Sequence, residues 1–190
     1  MKRLWLIPLL FVSLLSVTAL AQISGSDEEI ASSTWKLFND ENYVFTWHYE
    51  PGAPPGFYRG SPPHGQVLRT FYNNIAFDAT QTKAGNFPLG SILVKENHIS
   101  GHNVGEGQQS TKGQQSGENE RAVQNFEPDL EAVTVMVKIE GYNPEAGDWF
   151  WAKYQPDGTV DEAGKLEGCI GCHSQVADND YVFDADVTSQ

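Results

Sequence analysis

The run Cys169-Ile170-Gly171-Cys172-His173 restricts the fold of this chain more than any other stretch of its sequence. Two thiols one helical turn apart can each form a thioether with one of the two vinyl groups of a heme, and the imidazole that follows then lies beneath the iron. Such a C-x-x-C-H run is typical of covalent attachment of a c-type heme. We therefore predict that Cys169 and Cys172 hold the porphyrin and that His173 binds the iron.

Other uses of a thiol pair remain open at this point. A zinc site needs four ligands, and the fourth would have to come from one of four scattered histidines that form no second ligand pair: His48, His64, His98 and His102. A redox dithiol would sit beside a βαβ pattern, which the sequence lacks. A disulfide suits an exported chain but leaves His173 without a role. Heme attachment is the interpretation that uses all three residues.

The start of the chain has the layout of a cleavable secretory signal. Lys2 and Arg3 precede an apolar run at residues 4–20, and small residues follow at Ala19 and Ala21. The run is short for a membrane span, so we predict a signal at residues 1–21 and no membrane anchor after cleavage. Export agrees with the heme, because bacterial c-type cytochromes mature outside the cytoplasmic membrane. We expect a periplasmic or otherwise exported protein.

The mature chain, residues 22–190, is long enough for a single domain with a hydrophobic core. When Lys2 and Arg3 leave with the signal, the formal net charge falls from −13 to −15. This charge argues against nucleic acid and anionic lipid as partners, and it favours a basic redox partner.

The apolar pattern predicts a fold rich in strands. Residues 132–139 alternate strictly, with Val133, Val135 and Val137 on one face. Ser26 and Glu29 form the pattern of a capping box at the start of a helix that ends near Asn39. Further strands are predicted at 66–73, 91–98 and 148–154, a short helix at 74–83, and an antiparallel pairing of 132–139 with 148–154. Residues 100–121 are Gly, Gln, Ser, Asn and charge, which indicates a flexible polar insertion.

Several motifs together resemble the cytochrome P460 family, which includes the β-sheet cytochromes c′. The resemblance covers nearly the whole mature chain, and its specificity comes from Val94-Lys95-Glu96 placed before a late heme motif. It implies an α+β fold, mainly an antiparallel β-sheet with a few helices packed around one covalently bound heme c, and usually a homodimer. The other matching segments are His64-Gly65, Val67-Leu68-Arg69-Thr70, Phe87-Pro88, Val135-Met136-Val137-Lys138 and Gly147-Asp148-Trp149.

The resemblance also implies roles for individual residues. Lys95 matches the lysine that is covalently joined to the porphyrin in P460 proteins, and Arg69 matches an arginine of the distal pocket. A guanidinium there can hydrogen-bond a bound nitrogen ligand. Oxidation of hydroxylamine also needs a base near the iron, for which Glu131 is the predicted residue, with Glu96 and Glu140 as the other candidates.

Three functions follow as hypotheses. The first is oxidation of hydroxylamine, with or without NO, and transfer of the electrons to a soluble cytochrome. The second is binding or scavenging of NO without oxidation, as in a cytochrome c′-β. The third is plain electron transfer, with His64 as a sixth ligand. Because Met136 is the one methionine after the signal and lies in a predicted strand, the sequence favours an open distal position.

Overall fold

A seven-stranded antiparallel β-sheet forms the centre of the protein, as the computed structural model shows for residues 25–53, 55–99, 128–183 and 187. Together with its helices the sheet confirms the predicted α+β fold class. The predicted signal at 1–21 and the predicted insertion at 100–121 lie outside the described residues. Among the helices within those ranges, none combines the length and the apolar character needed to cross a membrane.

The strands follow the order β1-β3-β4-β5-β6-β7 across the sheet, and β2 also pairs with β3. Four predicted strands are confirmed, as is the antiparallel pairing of β5 with β6. The strands are β1 His48–Tyr49, β2 Tyr58–Arg59, β3 Val67–Tyr72, β4 Ile92–Ile99, β5 Asp129–Lys138, β6 Trp149–Tyr154 and β7 Val160–Gly164. The helices are α1 Asp27–Asp40, α2 Tyr43–Thr46, α3 Asn74–Thr82 and α4 Glu167–His173, with short 3-10 helices at Pro144–Ala146 and Ser174–Asn179.

Each face of the sheet has its own hydrophobic core, because successive side chains of a strand point to opposite sides. The first face carries Phe71, Val94, Val135, Phe150 and their neighbours, and it packs against α1 and α2. The second face carries residues that include Tyr72, Leu93, Met136 and Trp151, and it packs against α3, α4 and the C-terminal segment. The predicted alternation of residues 132–139 is confirmed, since its valines lie on the first face.

The capping box that the sequence predicts at the start of α1 is present. Ser26 Oγ accepts from the Glu29 backbone N–H at 3.3 Å, and the Glu29 carboxylate accepts from the Ser26 backbone N–H at 2.8 Å. These bonds satisfy N–H groups that have no partner inside the helix. The helix then places Phe38 in the first core, while the hydroxyl of Tyr154 donates to the carbonyl of Ala31 at 2.9 Å.

Strand β7 is an element that the sequence pattern did not predict. Its sequence, Val-Asp-Glu-Ala-Gly, has two adjacent exposed acids at its centre, and within the described residues β7 lies at the edge of the sheet and pairs only with β6. Such a strand is stabilised by its backbone hydrogen bonds to the neighbouring strand. Its sequence lacks the alternation of apolar and polar residues that predicts a strand. It brings the chain along the sheet to the start of α4.

A cluster of buried ionic side chains lies on the first face of the sheet. The carboxylate of Glu96, only 3 % exposed, accepts from Tyr43 Oη at 2.7 Å and from Arg69 Nε at 2.6 Å, and it lies 3.1 Å from His98 Nε2. The Arg69 guanidinium also lies over the ring of Phe57 at 4.7 Å. Burial opposes ionisation of Glu96, but the hydrogen bonds from His98, Arg69 and Tyr43 outweigh it and hold the pKa of Glu96 below its ordinary value.

We expect Glu96→Gln to lower the free energy of unfolding by about 3 kcal/mol near pH 7, because it leaves Arg69 without its buried carboxylate. The folded-state pKa of Glu96 is depressed, so its contribution is complete above the unfolded-state pKa and is lost as the pH falls through the folded-state pKa. The difference between wild type and variant should therefore shrink below about pH 4.5. Urea unfolding over a pH series measures it.

Glu140→Gln is the matched control, since Glu140 is an exposed glutamate in the turn after β5. It should change the free energy of unfolding by less than about 0.5 kcal/mol. Equal effects of the two substitutions, or a constant Glu96 effect down to acid pH, would contradict the role of this cluster.

Candidate heme site

Helix α4 carries the C-x-x-C-H motif along the second face of the sheet. Cys169 and Cys172 are both free, half-buried thiols. Gly168 and Gly171 border open space, because a Cβ at either position would meet no atom within 4 Å. Burial, with Glu162 and Cys172 nearby, raises the pKa of the Cys169 thiol. The helix therefore presents two free thiols, with open space at the glycine that precedes each of them.

The imidazole of His173 is held in one orientation by the turn that follows α4. Its Nδ1 lies 2.7 Å from the backbone carbonyl oxygen of Tyr181. A carbonyl only accepts, so Nδ1 carries the hydrogen and the ring keeps its lone pair on Nε2, which is the form in which histidine binds a metal. The ring also packs edge-on against Trp151, with centroids 4.7 Å apart, and against Phe183 at 5.1 Å.

Asp180 fixes the turn that supplies the Tyr181 carbonyl. Its buried carboxylate accepts from Lys138 Nζ at 2.5 and 2.6 Å and from the Phe87 backbone N–H at 2.7 Å. Its own carbonyl accepts from Trp149 Nε1 at 2.8 Å. Asp180 and Tyr181 both have left-handed backbone conformations, with φ of 53° and 66°. Such conformations are unfavourable for non-glycine residues, so the buried contacts of Asp180 stabilise the turn.

A group of polar side chains lies across the sheet surface on the same face. Asn97 Nδ2 donates to the carbonyls of Lys95 and Ala132, at 3.3 and 3.4 Å, and to Thr134 Oγ1 at 3.2 Å. Asn97 Oδ1 lies 3.2 Å from His64 Nδ1. The ring of His64 in turn lies 6.3 Å from that of His173, centroid to centroid. The loop before β3, strands β4 and β5, and α4 therefore converge on one place.

Lys95 lies on this second face. In the sheet register it stands between Thr70 of β3 and Thr134 of β5, and its neighbour Glu96 points to the first face. Its side chain is half-buried. Lys95 therefore lies on the face of the sheet against which α4, with Cys169, Cys172 and His173, packs.

Arg69 lies on the opposite face, contrary to the prediction that placed it in the distal pocket. Its register partner on β4 is Glu96, and residues directly opposite each other in a sheet share a face. The 2.6 Å ion pair between them confirms this side. The sequence motif gave the correct strand, but the pairing with Glu96 turns the guanidinium away from Lys95.

Glu131 is exposed and lies where β5 departs from regular pairing. His98 pairs with Leu130 and Asn97 with Ala132, so Glu131 is the extra residue of a bulge. Of the other two candidate bases, Glu96 is buried in the first face and Glu140 is exposed after β5. None of the three is buried on the face of the heme motif.

Several residues of this site were not predicted from sequence. Asn97 could have been found, because it lies two residues after Lys95 in the same strand and so shares its face. Trp151 gave no such signal. Its ring is 3 % exposed beside His173, and its Nε1–H has no hydrogen-bond acceptor within the described part of the chain. A buried donor of this kind fits a site that receives an acceptor from a bound group, such as a porphyrin carboxylate.

The donor set suits a porphyrin more than a bare ion. Within residues 25–53, 55–99 and 128–183, no three or more His, Cys, Asp or Glu side chains are grouped to hold a metal ion. The site offers two thiols one turn apart, an oriented imidazole and aromatic walls. These are the groups that attach a heme by its edge and bind its iron from one side.

A sequence model of the family described as Cytochrome P460 matches residues 56–184, more than half of the chain. The matched region contains His64, Lys95 and the complete C-x-x-C-H motif. No curated protein gives a significant match.

We expect Lys138→Ala to lower the free energy of unfolding by about 3–5 kcal/mol, because it leaves the buried Asp180 carboxylate without its counter-charge. Lys153→Ala is the control, since the Lys153 ammonium lies at 3.6 Å from Asp161 on the surface and its loss should cost less than about 1 kcal/mol. Urea unfolding of the two variants measures the difference. Similar midpoints would show that the Lys138–Asp180 pair does not hold the turn.

Proposed function

Because the chain belongs to the cytochrome P460 family, we propose that it is an exported c-type heme protein that binds hydroxylamine or nitric oxide at the iron. Membership in the family implies heme binding. The thioether bonds, the nitrogen ligand and the location belong to the proposal. The single observation that supports it best is the hydrogen bond from His173 Nδ1 to the Tyr181 carbonyl, next to two free thiols.

The residues of α4 would hold the cofactor. Cys169 and Cys172 are one turn apart on this helix, and Gly168 and Gly171 beside them border open space, which suits two thioether bonds. His173 Nε2 would bind the iron, and the turn at Asp180 and Tyr181 would keep the ring from rotating. The heme supplies an iron that binds small nitrogen compounds and exchanges single electrons.

The opposite side of the site is lined by polar groups of the sheet. Lys95, Asn97 and Thr134 share this face and make it polar next to the place where a ligand of a few atoms would bind. Lys95 is also on the correct face for the bond to the porphyrin that characterises P460 proteins. That bond would distinguish the protein from an ordinary c-type cytochrome.

The positions of the three candidate acids favour ligand binding over oxidation. Removing protons from hydroxylamine requires a base near the iron. Glu96 is buried on the other face, and Glu131 and Glu140 are exposed. We therefore propose binding of NO or hydroxylamine as the main activity and hydroxylamine oxidation as the alternative.

The predicted signal at 1–21 and the charge of −15 after its removal support a periplasmic protein with a basic redox cytochrome as partner. Because members of the family are usually dimeric, we also propose that the protein forms a homodimer.

The activity test uses the purified heme-loaded protein. We expect NO to shift the Soret band of the ferrous protein with saturation at one NO per heme. Hydroxylamine should give a bound spectrum without continued reduction of an added electron acceptor. Sustained turnover would establish the oxidase alternative instead. Absence of any spectral change with either compound would contradict the proposal.

A second test concerns Lys95. We expect digestion of the wild-type protein to yield a heme peptide that contains both the C-x-x-C-H motif and Lys95, and an absorption spectrum that differs from ordinary c-type heme. Lys95→Ala should retain the heme and revert to the ordinary spectrum, whereas Lys153→Ala, which removes an exposed lysine of strand β6, should change neither the heme peptide nor the spectrum. Identical spectra of wild type and Lys95→Ala would show that Lys95 is not joined to the porphyrin.

A further inference from the structure

A row of buried hydrogen-bonding side chains ends beside Lys95 on the second face of the sheet. Tyr58 Oη donates to the carboxylate of Glu50 at 2.8 Å, and it lies 2.6 Å from Thr70 Oγ1. The side chains of Glu50 and Thr70 are buried, at 5 % and 3 % exposure. In the sheet register Thr70 stands directly opposite Lys95. Two hydrogen bonds therefore link the Glu50 carboxylate to the cross-strand neighbour of Lys95.

The pairing of β1 with β3 places Glu50 on this face. Tyr49 pairs with Phe71, and their rings pack together in the first core. The next residue along the chain points to the opposite side. The backbone N–H of Glu50 donates to the Thr70 carbonyl at 3.1 Å and so extends the pairing by one residue. Glu50 is thus a buried acid on the face of the heme motif, and it lies before the region that matches the family.

The carboxylate fixes the direction of the hydrogen bonds in this row. An ionised carboxylate only accepts, so the single hydrogen of Tyr58 Oη points to Glu50. The contact of 2.6 Å between Tyr58 and Thr70 then uses the hydrogen of the Thr70 hydroxyl. Toward any further neighbour, Thr70 Oγ1 can only accept. The row can therefore carry a proton in one direction, from Thr70 to Glu50.

Lys95 is the residue that can deliver a proton to this row. Side chains directly opposite each other in an antiparallel pair have Cβ atoms about 5 Å apart, so a lysine can reach the hydroxyl of its partner. A lysine side chain near pH 7 is an ammonium, which has no lone pair to form a bond to carbon. Transfer of its proton to a buried carboxylate leaves two neutral groups, which burial favours over two charged ones.

We propose that Glu50, through Tyr58 and Thr70, accepts a proton from the amine of Lys95 and so prepares it for its bond to the porphyrin. The inference rests on the proposed function, because it requires a heme on α4. Thr70 takes a proton from the lysine nitrogen, Tyr58 takes one from Thr70, and Glu50 takes one from Tyr58. The neutral amine then forms the bond from nitrogen to carbon. The hydrogen lost from nitrogen, the hydrogen lost from carbon and two electrons pass to a peroxide, which becomes water.

The test measures the fraction of heme that is joined to Lys95, by mass spectrometry of heme peptides from the purified heme-loaded protein. The wild type should carry the bond in most chains. Tyr58→Phe keeps the ring but removes the middle hydroxyl, and Thr70→Val keeps the shape but removes the hydroxyl opposite Lys95. Each should lower the fraction at least about tenfold with unchanged attachment at the cysteines. Thr70→Ser keeps a hydroxyl and should match the wild type.

Glu50→Gln separates proton transfer from structural support. The glutamine oxygen still accepts from Tyr58, but the amide does not take up a proton. The fraction should fall as in Tyr58→Phe, and the double variant should fall no further, because the groups act in series. Peroxide treatment of heme-loaded Glu50→Gln at about pH 9.5 should restore the bond, since lysine ammonium groups then lose protons to water more readily. Absence of recovery would show a structural role only.

Tyr142→Phe is the matched control. Tyr142 Oη also donates to a carboxylate, that of Asp27 at 2.6 Å, but its ring packs against the first core. Its loss should leave the fraction of heme joined to Lys95 unchanged. A decrease as large as that of Tyr58→Phe would overturn the inference.

The outcomes separate this inference from the proposed function. A wild-type level of the Lys95 bond in Tyr58→Phe and Thr70→Val would overturn the role of the row alone. A wild type with covalent heme that binds NO but carries an unmodified Lys95 would overturn the inference and leave the binding of NO in place. A purified protein without covalent heme would overturn both.

Discussion

The hydrogen bond from His173 Nδ1 to the Tyr181 carbonyl is the contact on which the site depends. It sets the tautomer and the direction of the imidazole, and it exists because Asp180 holds a strained turn in place. Asp180 does so through a buried ion pair with Lys138, at the end of β5, and a hydrogen bond from Phe87. The Nε2 atom of His173, which would bind the iron, is therefore positioned by the sheet as well as by its own helix, as expected of a metal ligand with an ordered outer shell.

The sheet separates two kinds of chemistry on its two faces. Lys95 and Glu96 are neighbours in sequence, yet Lys95 lies with the heme motif and Glu96 lies in a buried cluster with Arg69 and Tyr43. The cluster contributes stability on the first face, while the second face carries the groups that would surround the cofactor. A strand with strict alternation can serve both purposes because each side chain belongs to one face only.

Local patterns in the sequence predicted much of this arrangement. The C-x-x-C-H spacing, the capping box at Ser26 and the alternation of β5 are each written within about ten residues, so they could be recognised. The face of the sheet on which Arg69 lies could not be predicted in this way, because it follows from the pairing of β3 with β4. The ion pair of Lys138 with Asp180 joins residues 42 positions apart, and the place of His64 depends on how its loop packs on β4. Strand β7 was missed because its polar residues carry no periodic signal.

The central claim is that sulfur atoms of Cys169 and Cys172 attach the heme whose iron His173 binds. Mass spectrometry of the exported, purified protein after extraction with acidified acetone tests it most directly. The account predicts one heme that stays with the chain, and a peptide containing residues 169–173 that carries the porphyrin on both cysteines. A heme that leaves with the solvent, or two unmodified cysteines in that peptide, would contradict it.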